Sequence, residues 1–151
     1  MILLGIDPGV QGALALLDKH ENRVTVHDMP DTTDTLYDLV RSFPPIAVCM
    51  IEKPFYPKII GIKNAAKIAE AYGRIKAVLF VCGIPIREVT PRDWKAALSL
   101  SDSKAASREL AGAFFPDDAD QWKLAKHDGR AEAALLAWYA LGKVPKEEIT
   151  V

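Results

Sequence analysis

Four carboxylates stand where a folded chain rarely leaves an acid unpartnered. Asp7 closes the apolar run Ile2-Leu3-Leu4-Gly5-Ile6, and Glu52 closes a second run, Ile46 to Ile51. Unbroken runs of this kind read as strands buried on both faces. A carboxylate at the mouth of such a strand is partly dry and needs a hydrogen-bond donor, a cation or a proton. Asp128 and Glu132 open a third segment, DGRAEAALLAWYALG. At about 100° per residue, Glu132 lies about 40° round a helix from Asp128, on the stripe that carries Leu135, Leu136 and Tyr139. A surface helix keeps its acids off that stripe. Asp128 alone would serve as an N-cap, but Glu132, one turn further in, would need a cation. Acids at i and i+4 have Cβ atoms about 6 Å apart, close enough to share a metal ion.

For Asp7 a plainer reading stands level with this one: Asp favours turns, and Asp7-Pro8-Gly9 is a turn sequence. Taken together, Asp7, Glu52, Asp128 and Glu132 point to metal chemistry. Hard oxygen donors, three histidines and no thiol cluster favour Mg²⁺ or Mn²⁺ over zinc. Four carboxylates can hold two such ions about 4 Å apart, the arrangement for in-line attack on a phosphodiester.

The elements that must position these acids follow from periodicity. Gly12 to Leu17 pairs back on the first strand, a polar turn at Lys19 to Asn22 follows, and Arg23 to His27 alternates as a third strand. A helix is expected over Thr32 to Phe43, stopped by Pro44-Pro45. The strand ending in Glu52, reached through that helix, should run parallel to the first. Asp7 and Glu52 would then lie at the C-terminal ends of neighbouring strands, where open α/β sheets place their sites. A proline-bracketed loop, Lys53 to Pro57, leads to a long helix over Ile59 to Val81, and a fifth strand spans Ile84 to Val89. Thr90 caps a helix with Pro91 in its first position. A further helix runs from about Asp102 to Phe115, residues 116–126 form a connector, and the last helix spans Asp128 to Gly142.

A chain of 151 residues is expected to form one domain, 1–151. No basic leader precedes the first strand and no apolar run approaches the roughly 20 residues that span a bilayer. Cys49 and Cys82 read as buried, reduced thiols, so a cytosolic location is expected. The net charge of −1 conceals a division: residues 1–52 carry net −5, 53–108 net +7 and 109–151 net −3. A basic middle beside a cluster of acids suits a surface that meets a polyanion.

GIDPG with its hairpin, IEKPF, TPRDWKAAL, SDSKAASREL and HDGRAEAALLA, in that order, resemble the RuvC-like Holliday-junction resolvases. The resemblance covers nearly the whole chain. It implies an α/β, RNase H-like fold with a five-stranded mixed sheet in the order 3-2-1-4-5, flanked by helices. It also implies a homodimer that cuts four-way DNA junctions by paired symmetric nicks with two Mg²⁺ ions per site, Mn²⁺ substituting, and no nucleotide cofactor. Asp7, Glu52 and Glu132 match the family's metal ligands, with a further acid or His just upstream of the last. Many members space the final acids i and i+3, whereas Asp128 and Glu132 are i and i+4 with His127 adjoining, so Asp128 and His127 both stand as the upstream ligand. Phe55 matches an aromatic implicated in junction distortion, and Lys95 and Lys104 match lysines implicated in DNA contact and catalysis.

Phe55 and Tyr56, between prolines and beside Lys53, Lys58 and Lys63, read as an exposed loop able to stack on bases. The long helix carries more apolar surface than a small sheet can cover, which also points to a dimer. Three other readings are weaker. A phosphate-binding fold of the actin and sugar-kinase type needs two such domains around a nucleotide. A non-catalytic nucleic-acid-binding relative would have no reason to keep acids turned inward. A nuclease for other branched DNA or RNA-containing substrates would share the same acids.

Overall fold

The computed structural model describes residues 1–101 and 103–144. Strands β1 (Ile2–Asp7), β2 (Ala13–Asp18) and β3 (Arg23–Asp28) form an antiparallel meander. Helix α1 (Thr33–Arg41) leads to β4 (Ile46–Glu52), which lies parallel to β1. Helix α2 (Ile62–Val81) then leads to β5 (Ile86–Val89), parallel to β4. The sheet order is β3-β2-β1-β4-β5, as expected. Helices α3 (Pro91–Ala97) and α4 (Lys104–Phe114), two 3₁₀ segments (Pro116–Trp122 and Ala125–His127) and α5 (Asp128–Leu141) complete the chain. Among the described residues no helix is long and apolar enough to cross a membrane.

Strand alternation sorts side chains onto two buried faces. Leu4, Ile6, Cys49 and Ile51 pack against Leu36 and Val40 of α1 and Ile75 and Leu79 of α2. Leu3, Val48 and Met50 pack on the other face with Trp94 of α3, Ala111 of α4 and most of α5. Asp7 and Glu52 stand two residues beyond Gly5 and Met50, so alternation sends them to this second face, beneath α5.

Helix α5 departs from the single core-facing stripe expected of it. Ala131, Ala133, Ala134, Leu135, Leu136 and Ala137 are all buried, which covers its whole circumference. Small side chains make this possible, because β1 and β2 lie on one side and α4 packs on another. Gly5 sets the approach: a Cβ there would run into the Ala133 carbonyl and the Ala137 amide.

Boundaries differ where loop chemistry outweighs pattern. Helix α2 starts three residues after Ile59, because Gly61, with φ of 76°, occupies the cap position. Strand β5 starts at Ile86, because the Ile84 amide turns back to close α2 on the Leu79 carbonyl at 3.0 Å. Helix α4 starts at Lys104, and Asp102, the expected start, lies outside the described residues. The cap at Thr90 forms as expected, and Thr32, read as the first helical residue, caps α1 instead, each hydroxyl accepting from the amide three residues on. The connector is ordered rather than plain loop. Buried Asp118 accepts from Arg23 Nη2 and from the Val24 amide, both at 2.7 Å, and Gln121 bonds the Val26 amide and the Val24 carbonyl. These side chains cover the outer backbone of edge strand β3, which would otherwise be open to pairing.

Gly5→Ala should lower unfolding free energy by about 1–3 kcal/mol or more, the usual range for overpacking a tight core. Urea denaturation measures it; an unchanged midpoint would mean that α5 can move away from β1 without loss.

Candidate functional site

β1 and β4 are in register with Ile6 opposite Ile51, so Asp7 and Glu52 follow side by side where the two strands end. The turn after β1 fixes Asp7. Its Oδ1 accepts from the Gly9 amide at 3.0 Å, so the turn-forming reading of this residue is correct as far as that oxygen goes. The other oxygen, Oδ2, faces the start of α5, where a Cβ on Gly129 would come within 2.9 Å of it. One carboxylate therefore does both jobs. Gly129 is glycine because the Gln11 carbonyl of the hairpin loop fills the space a side chain would take.

Trp94 fixes Glu52. Its indole is wholly buried, and Nε1 donates to Glu52 Oε2 at 2.5 Å. Glu132 is held by Lys95, whose Nζ lies 3.0 Å from Oε1, and by the Ser107 hydroxyl at 3.2 Å. Asp7, Glu52 and Glu132 act on one another electrostatically. Asp7 is pushed up to about 6, chiefly by burial, with the Gly9 hydrogen bond opposing and the Glu132 charge adding to the rise. Glu52 is pushed up to about 7, again chiefly by burial, with Trp94 opposing and both Asp7 and Glu132 adding. The Lys95 ammonium offsets part of this for each.

Asp128 takes a different place from the one the sequence suggests. It is the first residue inside α5 rather than its cap, a position His127 occupies. Its Oδ1 accepts from Arg108 Nε of α4 at 2.9 Å, and the exposed Lys104 ammonium lies 4.0 Å from Oδ2. His127 lines a separate cavity of about 260 Å³ with Asp28, Met29 and Arg130. Burial lowers its pKa, with help from Arg130 and Lys126. Asp128 is thus engaged from the α4 side, and His127 opens onto the separate cavity.

A cavity of about 240 Å³ joins Asp7 and Glu52 to Phe55, with Lys67 and Tyr72 of α2 on its wall. A larger one, about 530 Å³, sits at the far end of the sheet between Tyr37, Phe43 and Ile84 and contains no acid. Phe55 is 73% exposed and Tyr56 43% exposed, which agrees with a surface loop rather than core packing. Lys53, Lys58, Lys63 and Lys67 are all exposed, and Lys67 lines this cavity. The basic segment is not uniformly available, however. Arg74 donates to the Asp31 carbonyl, Lys76 pairs with Glu88, and Lys95 turns inward to Glu132.

Trp94, Ser107 and Arg108 are partners that the sequence reading missed. Trp94 resembles any core tryptophan in the sequence; only its place one residue before Lys95, on the helix that follows β5, hints at its role. Among the described residues no three acid, His or Cys side chains stand close enough to enclose a metal as placed. The donor set still fits a hard divalent cation. It is all oxygen, and two of its members are raised towards neutrality by burial and by each other, so a cation would relieve them.

No family model and no curated protein matches the chain. Solved structures do. The chain is similar to RuvC of T. thermophilus in complex with Holliday junction substrate, with a TM-score of 0.68, 18% identity, and 94% of this chain and 96% of that one covered. The structure of Thermus thermophilus RuvC gives 0.66, again at 18%, over 95% and 97%. The fowlpox virus Holliday junction resolvase gives 0.57 at 18% identity, over 95% and 99%. These likenesses show the fold: a RuvC-type, RNase H-like sheet with its flanking helices.

Asp7 and Glu52 bind a proton more tightly in the folded chain than in the unfolded one. Their stabilising contribution is therefore full below the usual carboxylate range and is lost as pH rises through about 6 to 7. The metal-free protein should melt at a lower temperature at pH 8 than at pH 5.5, and Asp7→Asn should flatten that trend. A melting temperature that rises over this interval and is unaffected by Asp7→Asn would contradict the placement of the two acids.

Proposed function

We propose that this chain is a divalent-metal-dependent endonuclease that resolves four-way DNA junctions. The observation that carries the proposal is the group Asp7, Glu52 and Glu132. Acids from three elements are brought to one sheet edge, beside an exposed aromatic and a set of exposed lysines. The fold shared with a resolvase solved on its junction substrate supports the same reading. Asp7, Glu52 and Glu132 would hold Mg²⁺, or Mn²⁺ in its place, with Asp128 available if Arg108 releases it. Bound there, a pair of such ions supplies an activated water and neutralises charge that develops on the phosphate.

The remaining work falls to the chain's own side chains. Gly9 and Trp94 hold Asp7 and Glu52 in place before substrate arrives, which is the kind of support that ligating carboxylates need. Lys95 balances Glu132 in the free protein, and on release from it can meet the phosphate. Lys53, Lys58, Lys63 and Lys104 line the approach as backbone contacts. Phe55 can stack on a base freed at the crossover, where stacking is already interrupted. Paired nicks need two copies, and α2 offers a surface for that: Ile62, Ala66, Ala69, Gly73, Ala77 and Phe80 are all exposed and share one face of the helix. A homodimer joined through this stripe would set two sites on one junction.

Asp7→Asn tests the proposal. Cleavage of a labelled four-way junction in Mg²⁺ should fall by more than about a thousandfold, since a metal ligand underlies several kcal/mol of transition-state stabilisation. Junction binding in a gel-shift assay should persist. Cutting at the wild-type rate by the variant would remove the metal assignment, and wild-type cutting of plain duplex as fast as junction would remove the junction reading.

A further inference from the structure

Phe55 separates two cavities. One contains Asp7 and Glu52. The other, about 510 Å³, lies on the α3 side and is lined by Phe55, Thr90, Pro91, Arg92, Lys95 and Leu100. Lys95 connects this second cavity to the acids, since the ammonium of the same side chain lies 3.0 Å from Glu132 Oε1. The walls pair an exposed aromatic ring with apolar Pro91 and Leu100. Their polar groups are almost wholly donors. Arg92 is exposed at the second residue of α3, and among the described residues its guanidinium makes no hydrogen bond or ion pair. The Thr90 hydroxyl is already occupied as the cap of α3, accepting from the Asp93 amide at 3.2 Å. Among the described residues no carboxylate and no side-chain amide lines the cavity.

An apolar wall beside an exposed aromatic ring suits a nucleobase, because every base has a face that can stack. The donors then choose among bases. A planar guanidinium matches the two adjacent acceptors of guanine, O6 and N7. With the pairing edge occupied, adenine would call for a side-chain amide and cytosine for an acceptor, and the described walls supply neither. Thymine offers one acceptor where the Arg92 fork can use two. We propose that this cavity receives one base that has lost a stacking neighbour at the crossover but keeps its pairing partner, next to the bond that is cut, and that Arg92 selects guanine there. The inference rests on the junction-nuclease reading and adds to it a determinant of cutting position.

Two measurements test it. The first uses four-way junctions with each of the four bases at the crossover positions, cut by wild type in Mg²⁺ and mapped at nucleotide resolution. Wild type should favour sites beside guanine by about 5- to 150-fold, the discrimination one bidentate arginine contact provides. Arg92→Ala should bring that ratio close to one while cutting beside the other bases stays at the wild-type rate. Arg92→Lys should restore little, because an ammonium has no fork. The second needs no metal and no cutting: a fluorescent guanine analogue at the crossover should be quenched when wild type binds, and markedly less when Arg92→Ala binds. Absence of a guanine preference in wild type, or its survival in Arg92→Ala, would overturn the proposal. Wild type that cuts no junction would remove the nuclease reading. The fluorescence then decides the base site alone, and equal quenching by wild type and Arg92→Ala would overturn it.

Discussion

Like charges crowded at one end of a sheet dominate this molecule. Asp7, Glu52 and Glu132 come from two strand ends and a helix packed on them, and burial removes much of the water that would screen them. Protons on Asp7 and Glu52, raised to about 6 and 7, relieve the crowding in part. The Lys95 ammonium at Glu132 relieves another part. Each device is one that a divalent cation could replace. The residues around the cluster, Gly9, Trp94 and Ser107, keep the acids from turning away to solvent, which is the simpler way for carboxylates to escape one another.

Backbone proximity enforces the crowding. Gly5 lets α5 lie against β1, and Gly129 lets the start of α5 lie against the β1–β2 hairpin. Both glycines are needed where backbone meets backbone, since a Cβ at either site would strike main-chain atoms. Alanines along α5 extend the same close approach, so Glu132 enters the site on a helix with almost no freedom to shift. The catalytic reading therefore depends on residues with little or no side chain as much as on the acids.

Much of this could be read in the sequence because it follows from period and order. Apolar runs that end in Asp7 and Glu52 gave the parallel strand pair, and the Thr90-Pro91 cap marked the start of α3. What stayed hidden were contacts between elements far apart in the chain. The Arg108 bond to Asp128 joins two helices, and nothing in either segment announces it. Arg23 with Asp118, and Trp94 with Glu52, are likewise pairings that only the fold creates. The 116–126 segment looked like a plain connector because its acids and glutamine form no periodic pattern. Their role is to bond the backbone of β3, which periodicity does not report.

The claim that buried, mutually repelling carboxylates await a cation can be measured through protons. A site whose acids titrate near pH 6 and 7 must release protons when a metal binds, since the ligands have to be ionised. Calorimetric titration of the wild-type protein with Mg²⁺, in two buffers of different ionisation enthalpy, gives that number directly. At pH 6.5 about one proton should be released per site occupied, falling towards zero at pH 8.5. Mg²⁺ binding with no proton release at pH 6.5, or no binding at all at either pH, would contradict it.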